Sequence, residues 1–357
     1  MIKLTDYGYT ETTPPPAGLI PGRVTESQRD RYTVIIEHGE VAATLKGSFF
    51  HGAAQRDDLP CVGDFVYLQY NNSGVSLIAE LLPRRTKFSR ADFSGHGAGY
   101  AKTVHEQTLA ANFDYVFIVT SLNRDFRINR IMRYLTQAAR GGGSPVIILT
   151  KADLEPDFYQ KIDEIKAVAP GVPVHAISSH TGFGLDELAE YLQPGKTIVC
   201  LGMSGVGKSS LLNALAGVEL MAVSATRTVD ESKGSHTTTH RQLITLPCGA
   251  MFIDTPGMRE LGLFDAEEGI SAIFSDVEEL FSHCKFSDCS HETEPGCAVK
   301  AALKDGTLPQ EQWGRYTTQK RETRYVDNKA AFMRERAQQH KDWHKASKSL
   351  KKRGKNK

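Results

Sequence analysis

The sequence predicts a multidomain chain with a small β domain first, a larger α/β domain in the middle and a mainly helical domain at the end. Three observations support this division. Short β-type runs fill residues 22–86, apolar strand runs alternate with helical stretches from about residue 113, and helical segments enclose a group of cysteines from about residue 262. A chain of 357 residues exceeds one ordinary domain, so two or three hydrophobic cores are expected.

The domain boundaries are placed where these patterns change. The predicted segments are a lead-in over 1–21, a β domain over 22–86, an α/β domain over 87–261, a helical domain over 262–335 and a basic tail over 336–357. From Lys341 onward the tail carries eight Lys or Arg residues against one Asp. Such a run is either solvated without fixed structure or binds nucleic-acid phosphates, in which case added salt weakens the binding.

Composition and charge indicate a globular protein that is not embedded in a membrane. No apolar run reaches the length of a membrane span, and the N-terminus lacks the basic-then-apolar pattern of a signal peptide. We therefore expect a cytoplasmic protein with no membrane partner. Nothing in the sequence indicates an oligomer, so we expect a monomer.

The β domain contains runs such as DFVYLQY and VSLIAELLPR, separated by Gly, Asn and Asp. Five or so short strands in this segment favour a small closed barrel of the oligonucleotide-binding (OB) type, and another small β domain fits the pattern equally well. The next segment, 87–112, is rich in Gly and polar residues, so we predict a connection or an ordered loop.

The central domain contains fully apolar runs that alternate with helical stretches: FDYVFIVTS, SPVIILTKADL, VPVHAISSHT, KTIVCLGMSGVGKSS and AMFIDTPG. This alternation predicts a parallel sheet covered by helices on both faces. The run HRQLITLP precedes AMFIDTPG with only a short turn between them, which predicts an antiparallel pair at the edge of the sheet.

The segment GMSGVGKS fits the pattern G-x-x-x-x-G-K-[ST] and lies between a strand-like and a helical run, which is the context of a phosphate loop. Its backbone N–H groups would face the phosphates at a helix N-terminus, Lys208 would reach the β- and γ-phosphates, and the Ser209 hydroxyl would bind Mg²⁺. Asp254 in FIDTPG is placed to hold this Mg²⁺ through water, and the Gly257 N–H to sense a γ-phosphate. The residues predicted to bind nucleotide here are Gly202, Met203, Ser204, Gly205, Val206, Gly207, Lys208, Ser209 and Ser210.

The segment TKAD predicts that the nucleotide is a guanine nucleotide. A carboxylate at Asp153 can accept both guanine donors, N1–H and the 2-amino group, and adenine offers neither at that edge. Lys151 can pack along the base, and Thr150 stands where Asn is usual, so we expect fewer contacts to the purine or the phosphate loop. The segment ISSHTG supplies hydroxyl and N–H groups for the guanine oxygen, although such a turn is common by itself. The residues predicted here are Thr150, Lys151, Ala152, Asp153, Ser178 and Ser179.

The order of these motifs is unusual, because an ordinary GTPase has its phosphate loop first and its base-reading motif last. Domain termini tend to lie close together, so joining the old ends and cutting the chain elsewhere keeps every strand in place. The sequence therefore predicts a circularly permuted GTPase. The polar segment KGSHTTTH, 233–240, suits a switch that carries a Thr on Mg²⁺, and a surface loop with three Thr by chance is the alternative.

The helical domain contains three cysteines and one histidine within fourteen residues: Cys284, Cys289, His291 and Cys297. Three thiolates and one imidazole match a closed structural zinc site with no open position for catalysis. A reduced cysteine-rich loop and a disulfide are the alternatives, and His283 is an alternative histidine ligand.

The base-first order, GMSGVGKSS, GSHTTTH, DTPG, the N-terminal β domain and the Cys3His cluster together resemble the RsgA (YjeQ) family of small-ribosomal-subunit biogenesis GTPases, from about residue 20 to 320. The resemblance implies an OB domain, a permuted GTPase domain and a zinc domain. It also implies late maturation of the small (30S) subunit, rRNA as a ligand, ribosome-stimulated hydrolysis of GTP to GDP, and release of the factor afterwards. The match places Thr238 on Mg²⁺ and makes His236 the candidate water-positioning group.

Met258 occupies the position where many GTPases have the Gln that orients the attacking water, and a thioether cannot do this. We therefore predict slow intrinsic hydrolysis, with His236 brought into line when the ribosome orders the switch. The alternative is that His236 only forms hydrogen bonds within its loop.

RNA contacts are expected from the β domain, the zinc domain and the tail, including the side chains of Arg84, Arg85, Lys87 and Phe88. Other functions stay open: a GTPase switch with a non-ribosomal RNA or protein partner, and an RNA-binding module that no longer hydrolyses GTP. Lys208, Ser209 and Asp254 argue against the second of these.

Overall fold

The structure is a computed structural model that describes residues 1–28, 31–47, 49, 56–92, 105–123, 126–221, 241–254 and 266–325. The strands are β1 (Ile20–Gln28), β2 (Arg31–Ile36), β3 (Gly39–Leu45), β4 (Phe65–Gln69), β5 (Ser76–Leu81), β6 (Lys87–Asp92), β7 (His105–Ala111), β8 (Tyr115–Ser121), β9 (Ser144–Thr150), β10 (Val174–Ala176), β11 (Thr197–Leu201), β12 (Arg241–Thr245) and β13 (Met251–Asp254). The α-helices are α1 (Ile128–Gly141), α2 (Phe158–Val168), α3 (Lys208–Ala216), α4 (Glu267–Ile273), α5 (Ser275–Glu279), α6 (Ala298–Asp305) and α7 (310–325). Short 3₁₀ helices include Leu4–Tyr7, Ala152–Leu154 and Leu280–His283.

The first five strands close into a barrel. β1 pairs with both β2 and β4, β3 runs parallel to β5, and β4 pairs with β5, so the order around the barrel is β1-β2-β3-β5-β4. Alternate residues point inward, and the barrel is filled by Val24, Val34, Ile36, Val66, Leu68 and Ile78, all fully buried. The predicted small barrel of the OB type is confirmed.

The central domain is an α/β sheet with the strand order β10-β9-β8-β11-β13-β12, in which only β12 is antiparallel to its neighbour. Successive residues of β8 enter different cores: Val116 packs with α1 on one face, and Phe117 packs with α3 on the other. Burial on both faces explains why the strand runs are continuously apolar. The predicted parallel sheet is confirmed.

The barrel and the α/β sheet are one hydrogen-bonded sheet, because β12 also pairs with β1. Glu26 lies opposite Gln242, and Ser27 lies opposite Arg241. The antiparallel pair formed by β12 and β13 agrees with the sequence prediction. The prediction that this pair forms the edge of the sheet is wrong, because the barrel strand β1 pairs with the outer edge of β12.

The segment predicted as a loop over 87–112 instead contains a two-stranded antiparallel ribbon, formed by β6 and β7. Phe88 is 3% exposed and stacks on Phe113 with ring centroids 4.7 Å apart. Buried apolar residues of this kind anchor the ribbon, and the Gly-rich composition of the segment obscured them.

Of the basic and aromatic residues expected to contact RNA, Phe88 is buried and Arg84 is half-buried in an ion-pair network. The Arg84 guanidinium forms ion pairs with Asp64 at 2.8 Å and Asp57 at 3.4 Å, and its side chain is 11% exposed. The expectation of RNA contacts is therefore wrong for Phe88, and for Arg84 it stays a prediction. Lys87 pairs with Asp57 at 2.8 Å, and Arg85 is exposed.

The C-terminal helices pack on α1 and share its core rather than forming a separate one. Ile270, Val299 and Tyr316 belong to the same buried cluster as Leu135 of α1. The Thr136 hydroxyl also donates to Gln319 Oε1 at 2.8 Å. Within the described part of the chain, no helix is long and apolar enough to cross a membrane.

Candidate nucleotide site and cysteine–histidine cluster

The predicted nucleotide-binding segments meet at one edge of the central sheet. Thr150 ends β9, Leu201 ends β11 and Asp254 ends β13, and these strands are parallel. β11 lies between β8 and β13, where the strand order reverses. Ligands of open α/β sheets bind in the crevice at such a point, outside the carboxyl ends of the strands.

The segment between β11 and α3 has a backbone that requires glycine. Gly202 has φ +156°, and a Cβ there would lie 2.3 Å from the Val119 carbonyl oxygen. Gly207 has φ +102° and directly precedes the first residue of α3, Lys208. The loop thus packs against β8 and leads into a helix N-terminus, which is the geometry of a phosphate-binding loop.

Lys208 lies folded over this loop. Its Nζ donates to the Gly202 carbonyl at 2.7 Å and to the Met203 carbonyl at 2.6 Å. The ammonium is therefore held beside the backbone that would surround the phosphates, where a cation neutralises their charge.

Asp254 is half-buried at the end of β13. Burial raises the pKa of its carboxyl group, and the nearby Lys208 ammonium lowers it by a smaller amount. A carboxylate removed from water and close to a phosphate loop is a suitable donor for a divalent cation, because oxygen ligands are those that Mg²⁺ prefers. The donor set of Ser209 and Asp254 fits Mg²⁺.

Two side chains of the TKAD segment connect the base end of the site to the phosphate end. The buried Thr150 hydroxyl donates to the Val206 carbonyl at 2.5 Å, and Lys151 Nζ donates to the Gly205 carbonyl at 3.0 Å. Thr150 therefore keeps one direct contact to the phosphate loop, and the expectation that it makes fewer contacts than Asn stays a prediction. Asp153 is exposed and makes no hydrogen bond or ion pair with any residue that the structure describes.

The ISSHTG turn lies beside this segment, since the Ala152 N–H donates to the Ile177 carbonyl at 3.0 Å. The fully buried Ser178 hydroxyl accepts from the backbone N–H groups of His180 at 3.3 Å and Thr181 at 3.2 Å, so it shapes the turn. Ser179 lines an open cavity of about 530 Å³ together with Ser210 of α3. The rest of its lining comes from the end of α3 and residues 217–219.

Sequence reasoning missed Asn213, which lines the same cavity. Its Nδ2 donates to the Met221 carbonyl at 2.7 Å, and its Oδ1 accepts from the N–H groups of Leu220 at 3.0 Å and Met221 at 2.9 Å. An amide in the otherwise apolar helical run SLLNALAG was the available signal. The predicted residues His236, Thr238, Gly257 and Met258 lie outside the described residues, as does the basic tail.

The three cysteines and one histidine of the helical domain come together at the start of α6. The ligand atoms of Cys284, Cys289, His291 and Cys297 all lie within 4.8 Å of one another. His291 Nδ1 lies 3.6 Å from Cys284 Sγ and 3.5 Å from Cys297 Sγ. Tetrahedral zinc with ordinary bond lengths separates sulfur and nitrogen ligands by about 3.6 Å. The cluster therefore has the dimensions of a tetrahedral metal site.

The surroundings of the cluster fix its ligand atoms. His291 has φ +64°, and its ring stacks on Phe281 with centroids 4.2 Å apart. Cys297 Sγ accepts from the Lys300 N–H at 3.5 Å and caps α6. His283 is exposed and does not belong to the group, which excludes the alternative histidine.

The fold and these two sites define a circularly permuted P-loop GTPase that carries an OB barrel and a Cys3His cluster. The sequence model of the family described as "RsgA GTPase" matches residues 81–264. The chain belongs to this RsgA GTPase family and is a hydrolase that acts on GTP.

Individual relatives agree with this assignment. The chain is 47% identical over 304 residues to the small ribosomal subunit biogenesis GTPase RsgA 2 of Listeria monocytogenes, a match that covers 85% of this chain and 84% of the relative. It is similar to the crystal structure of YjeQ from Thermotoga maritima, with a TM-score of 0.61, 28% identity and coverage of 84% of this chain and 96% of that one. It is also similar to YloQ, described as a circularly permuted GTPase, with a TM-score of 0.58, 26% identity and coverage of 85% and 94%.

Proposed function

We propose that this protein binds the small (30S) ribosomal subunit, assists its late maturation and is released when it hydrolyses GTP. The supporting observation is that similarity to a small ribosomal subunit biogenesis GTPase extends over 85% of the chain and is not confined to the GTPase domain. The barrel, the GTPase sheet and the helical domain are therefore proposed to act together on the subunit. This function would place the protein in the cytoplasm, where it would act as a monomer.

In the proposed site the nucleotide lies across the carboxyl ends of β9, β11 and β13. Asp153 accepts the guanine donors, the Gly202–Ser209 backbone and Lys208 bind the β- and γ-phosphates, and Ser210 and Ser179 face the part of the nucleotide between base and phosphates. Ser209, Asp254 and Thr238 would hold Mg²⁺, which neutralises the charge that develops on the phosphates when it is bound. The Gly257 N–H is proposed to contact the γ-phosphate.

Hydrolysis is proposed to follow the usual course of phosphoryl transfer. Water attacks the γ-phosphorus, the bond to the oxygen that bridges the β- and γ-phosphorus atoms breaks, and GDP and inorganic phosphate leave. His236 is proposed to orient the water once the subunit has bound. Because Met258 stands where a water-orienting Gln is common, we expect slow turnover without the subunit.

The Cys3His cluster is proposed to bind one structural zinc ion. We expect metal analysis of the purified protein to give one zinc per chain and His291→Ala to lose it. His283→Ala is the matched control, because His283 lies outside the cluster, and it should keep the metal. A wild-type protein without zinc, or equal zinc in the two variants, would contradict the assignment.

The decisive experiment measures phosphate release from GTP and from ATP, each with and without purified small subunits. We expect slow release from GTP, a steep rise with small subunits only, and little release from ATP. Stimulation of GTPases by a partner reaches about 10⁵-fold in favourable cases. A GTP rate indifferent to subunits would leave the GTPase and favour a non-ribosomal RNA or protein partner.

A further inference from the structure

Arg23 of β1 is the largest fully buried side chain in the described part of the chain, and it lies where the barrel meets the α/β sheet. Arginine is almost never fully buried unless its charge and its donors are satisfied. The burial of this guanidinium therefore indicates that the surrounding segments supply acceptors for its donors.

The guanidinium contacts four separate parts of the chain. Its Nε donates to the Gly63 carbonyl of the barrel at 3.1 Å. Its Nη1 donates to the Tyr7 carbonyl at 2.6 Å and to the Thr197 hydroxyl at 2.9 Å, and its Nη2 donates to the Asn112 carbonyl at 2.9 Å. One side chain thus joins the N-terminal segment, the barrel, the connection into β8 and the first residue of β11.

The same guanidinium also contacts β13, the strand that ends at Asp254. Its Nη1 lies 3.5 Å from the sulfur of Met251, the first residue of β13. β11 runs from Thr197 into the phosphate loop, and β13 runs from Met251 to Asp254. Arg23 therefore contacts the first residues of the two strands whose last residues lead to the phosphate loop and the proposed Mg²⁺ carboxylate.

The strand register shows that Arg23 links β1 to β13 at a level where β1 has stopped pairing with β12. Gln242 of β12 lies opposite both Glu26 of β1 and Asp254 of β13, so β1 runs parallel to β13 one strand away. Arg23 is three residues before Glu26, and Met251 is three residues before Asp254. At that level β1 no longer pairs with β12, and the guanidinium bridges the strands where their backbones separate.

The electrostatics make this bridge sensitive to displacement. Burial lowers the pKa of Arg23, and the Asp114 carboxylate raises it by a smaller amount. Every hydrogen-bond acceptor named above is neutral, and the Asp114 carboxylate, which accepts the Thr197 N–H at 2.8 Å, acts on Arg23 by its charge. A buried charge that loses such acceptors is strongly unfavourable. The barrel and the starts of β11 and β13 therefore tend to move together.

We propose that Arg23 is a positioning residue for GTP hydrolysis that transmits subunit binding from the barrel to the phosphate site. The inference rests on the proposed function, because it assumes that the subunit contacts the barrel and stimulates turnover. Arg23 does not touch the nucleotide. The strand pairing of β8, β11 and β13 places Lys208 and Asp254 without the subunit, and Arg23 joins the starts of β11 and β13 to the barrel, so that subunit binding at the barrel can shift this placement.

The test compares Arg23→Met and Arg23→Lys with the wild type in three measurements: intrinsic turnover, turnover with saturating small subunits, and affinity for a fluorescent GDP. For Arg23→Met we expect stimulated turnover to fall at least about tenfold, while intrinsic turnover and GDP affinity change less than about threefold. Arg23→Lys should be intermediate, since one ammonium cannot reproduce the planar fork of donors. Co-sedimentation should show that both variants still bind subunits.

Two further variants separate coupling from simple loss of stability. Thr197→Val removes one acceptor on β11 with little change of volume, so it tests the proposal even if Arg23→Met does not fold, and we expect a smaller loss of stimulation. Ile78→Val weakens the barrel core away from the interface and should leave the ratio of stimulated to intrinsic turnover unchanged.

The outcomes distinguish this inference from the proposed function. If subunits leave the wild-type rate unchanged, the proposed function fails and the coupling fails with it. If the wild type is stimulated and Arg23→Met or Thr197→Val keeps the wild-type ratio of stimulated to intrinsic turnover, the coupling through Arg23 is overturned and the proposed function stands. A loss of stimulation in Ile78→Val as large as that in Arg23→Met would also overturn the coupling, because the effect would then follow the loss of protein stability.

Discussion

At the scale of single residues, Thr150 illustrates how a side chain shorter than asparagine still reaches the phosphate loop. Its hydroxyl hydrogen bond to the Val206 carbonyl joins β9 to the loop inside a buried region. Thr150→Val keeps the shape and removes the donor, and an unsatisfied buried acceptor costs about 1–3 kcal/mol. We expect GDP affinity to fall about tenfold in a fluorescence titration. The exposed Thr245→Val is the matched control, and an unchanged affinity for Thr150→Val would contradict this role.

Asp254 gives a prediction about pH at the same scale. Burial raises its pKa in the folded protein above the unfolded value, so between these two pKa values the folded state binds more protons. Stability without nucleotide therefore falls as pH rises through that interval, and the ionised carboxylate destabilises the protein at neutral pH. We expect Asp254→Asn to raise the melting temperature at pH 7.5, to raise it less at pH 4, and to abolish hydrolysis. Asp163→Asn, on an exposed part of α2, is the control and should change neither the melting temperature nor the hydrolysis rate. A lower melting temperature for Asp254→Asn at pH 7.5 would contradict the prediction.

At the scale of elements, the contact between α4 and α1 depends on a glycine. A Cβ on Gly269 would lie 2.4 Å from the Thr136 carbonyl oxygen, which belongs to the backbone and cannot rotate away. We expect Gly269→Ala to lower the free energy of unfolding by about 1–3 kcal/mol in urea titrations, because the helices must separate. Gly314 in α7 has open space around it, so Gly314→Ala should instead stabilise by about 0.5–1 kcal/mol. Equal effects of the two substitutions would show that the close approach is unimportant.

At the scale of the whole molecule, the sequence predicted what depends on local patterns. The parallel sheet followed from strand runs such as FDYVFIVTS, whose residues are buried on both faces, and the cysteine–histidine group followed from its short spacing. The pairing of Ser27 with Arg241 could not be predicted, because it joins residues far apart in the chain without any local signal. Arg23 was missed for a related reason: its burial depends on acceptors from four distant segments, and by composition alone an arginine indicates a surface position.

The position of β11 in the sheet also has a consequence for how the chain is made. β8, β9 and β10 leave the ribosome before β11, which then pairs with the free edge of β8, and β13 is made later still and pairs with β11. About 75 residues separate the end of β8 from the start of β11. At roughly 5–20 residues per second, the apolar edge of β8 waits about 4–15 seconds for its neighbour during synthesis. An unpaired strand edge can pair with other chains, so the nascent protein is exposed to wrong strand pairing during that interval, until β11 occupies the edge of β8.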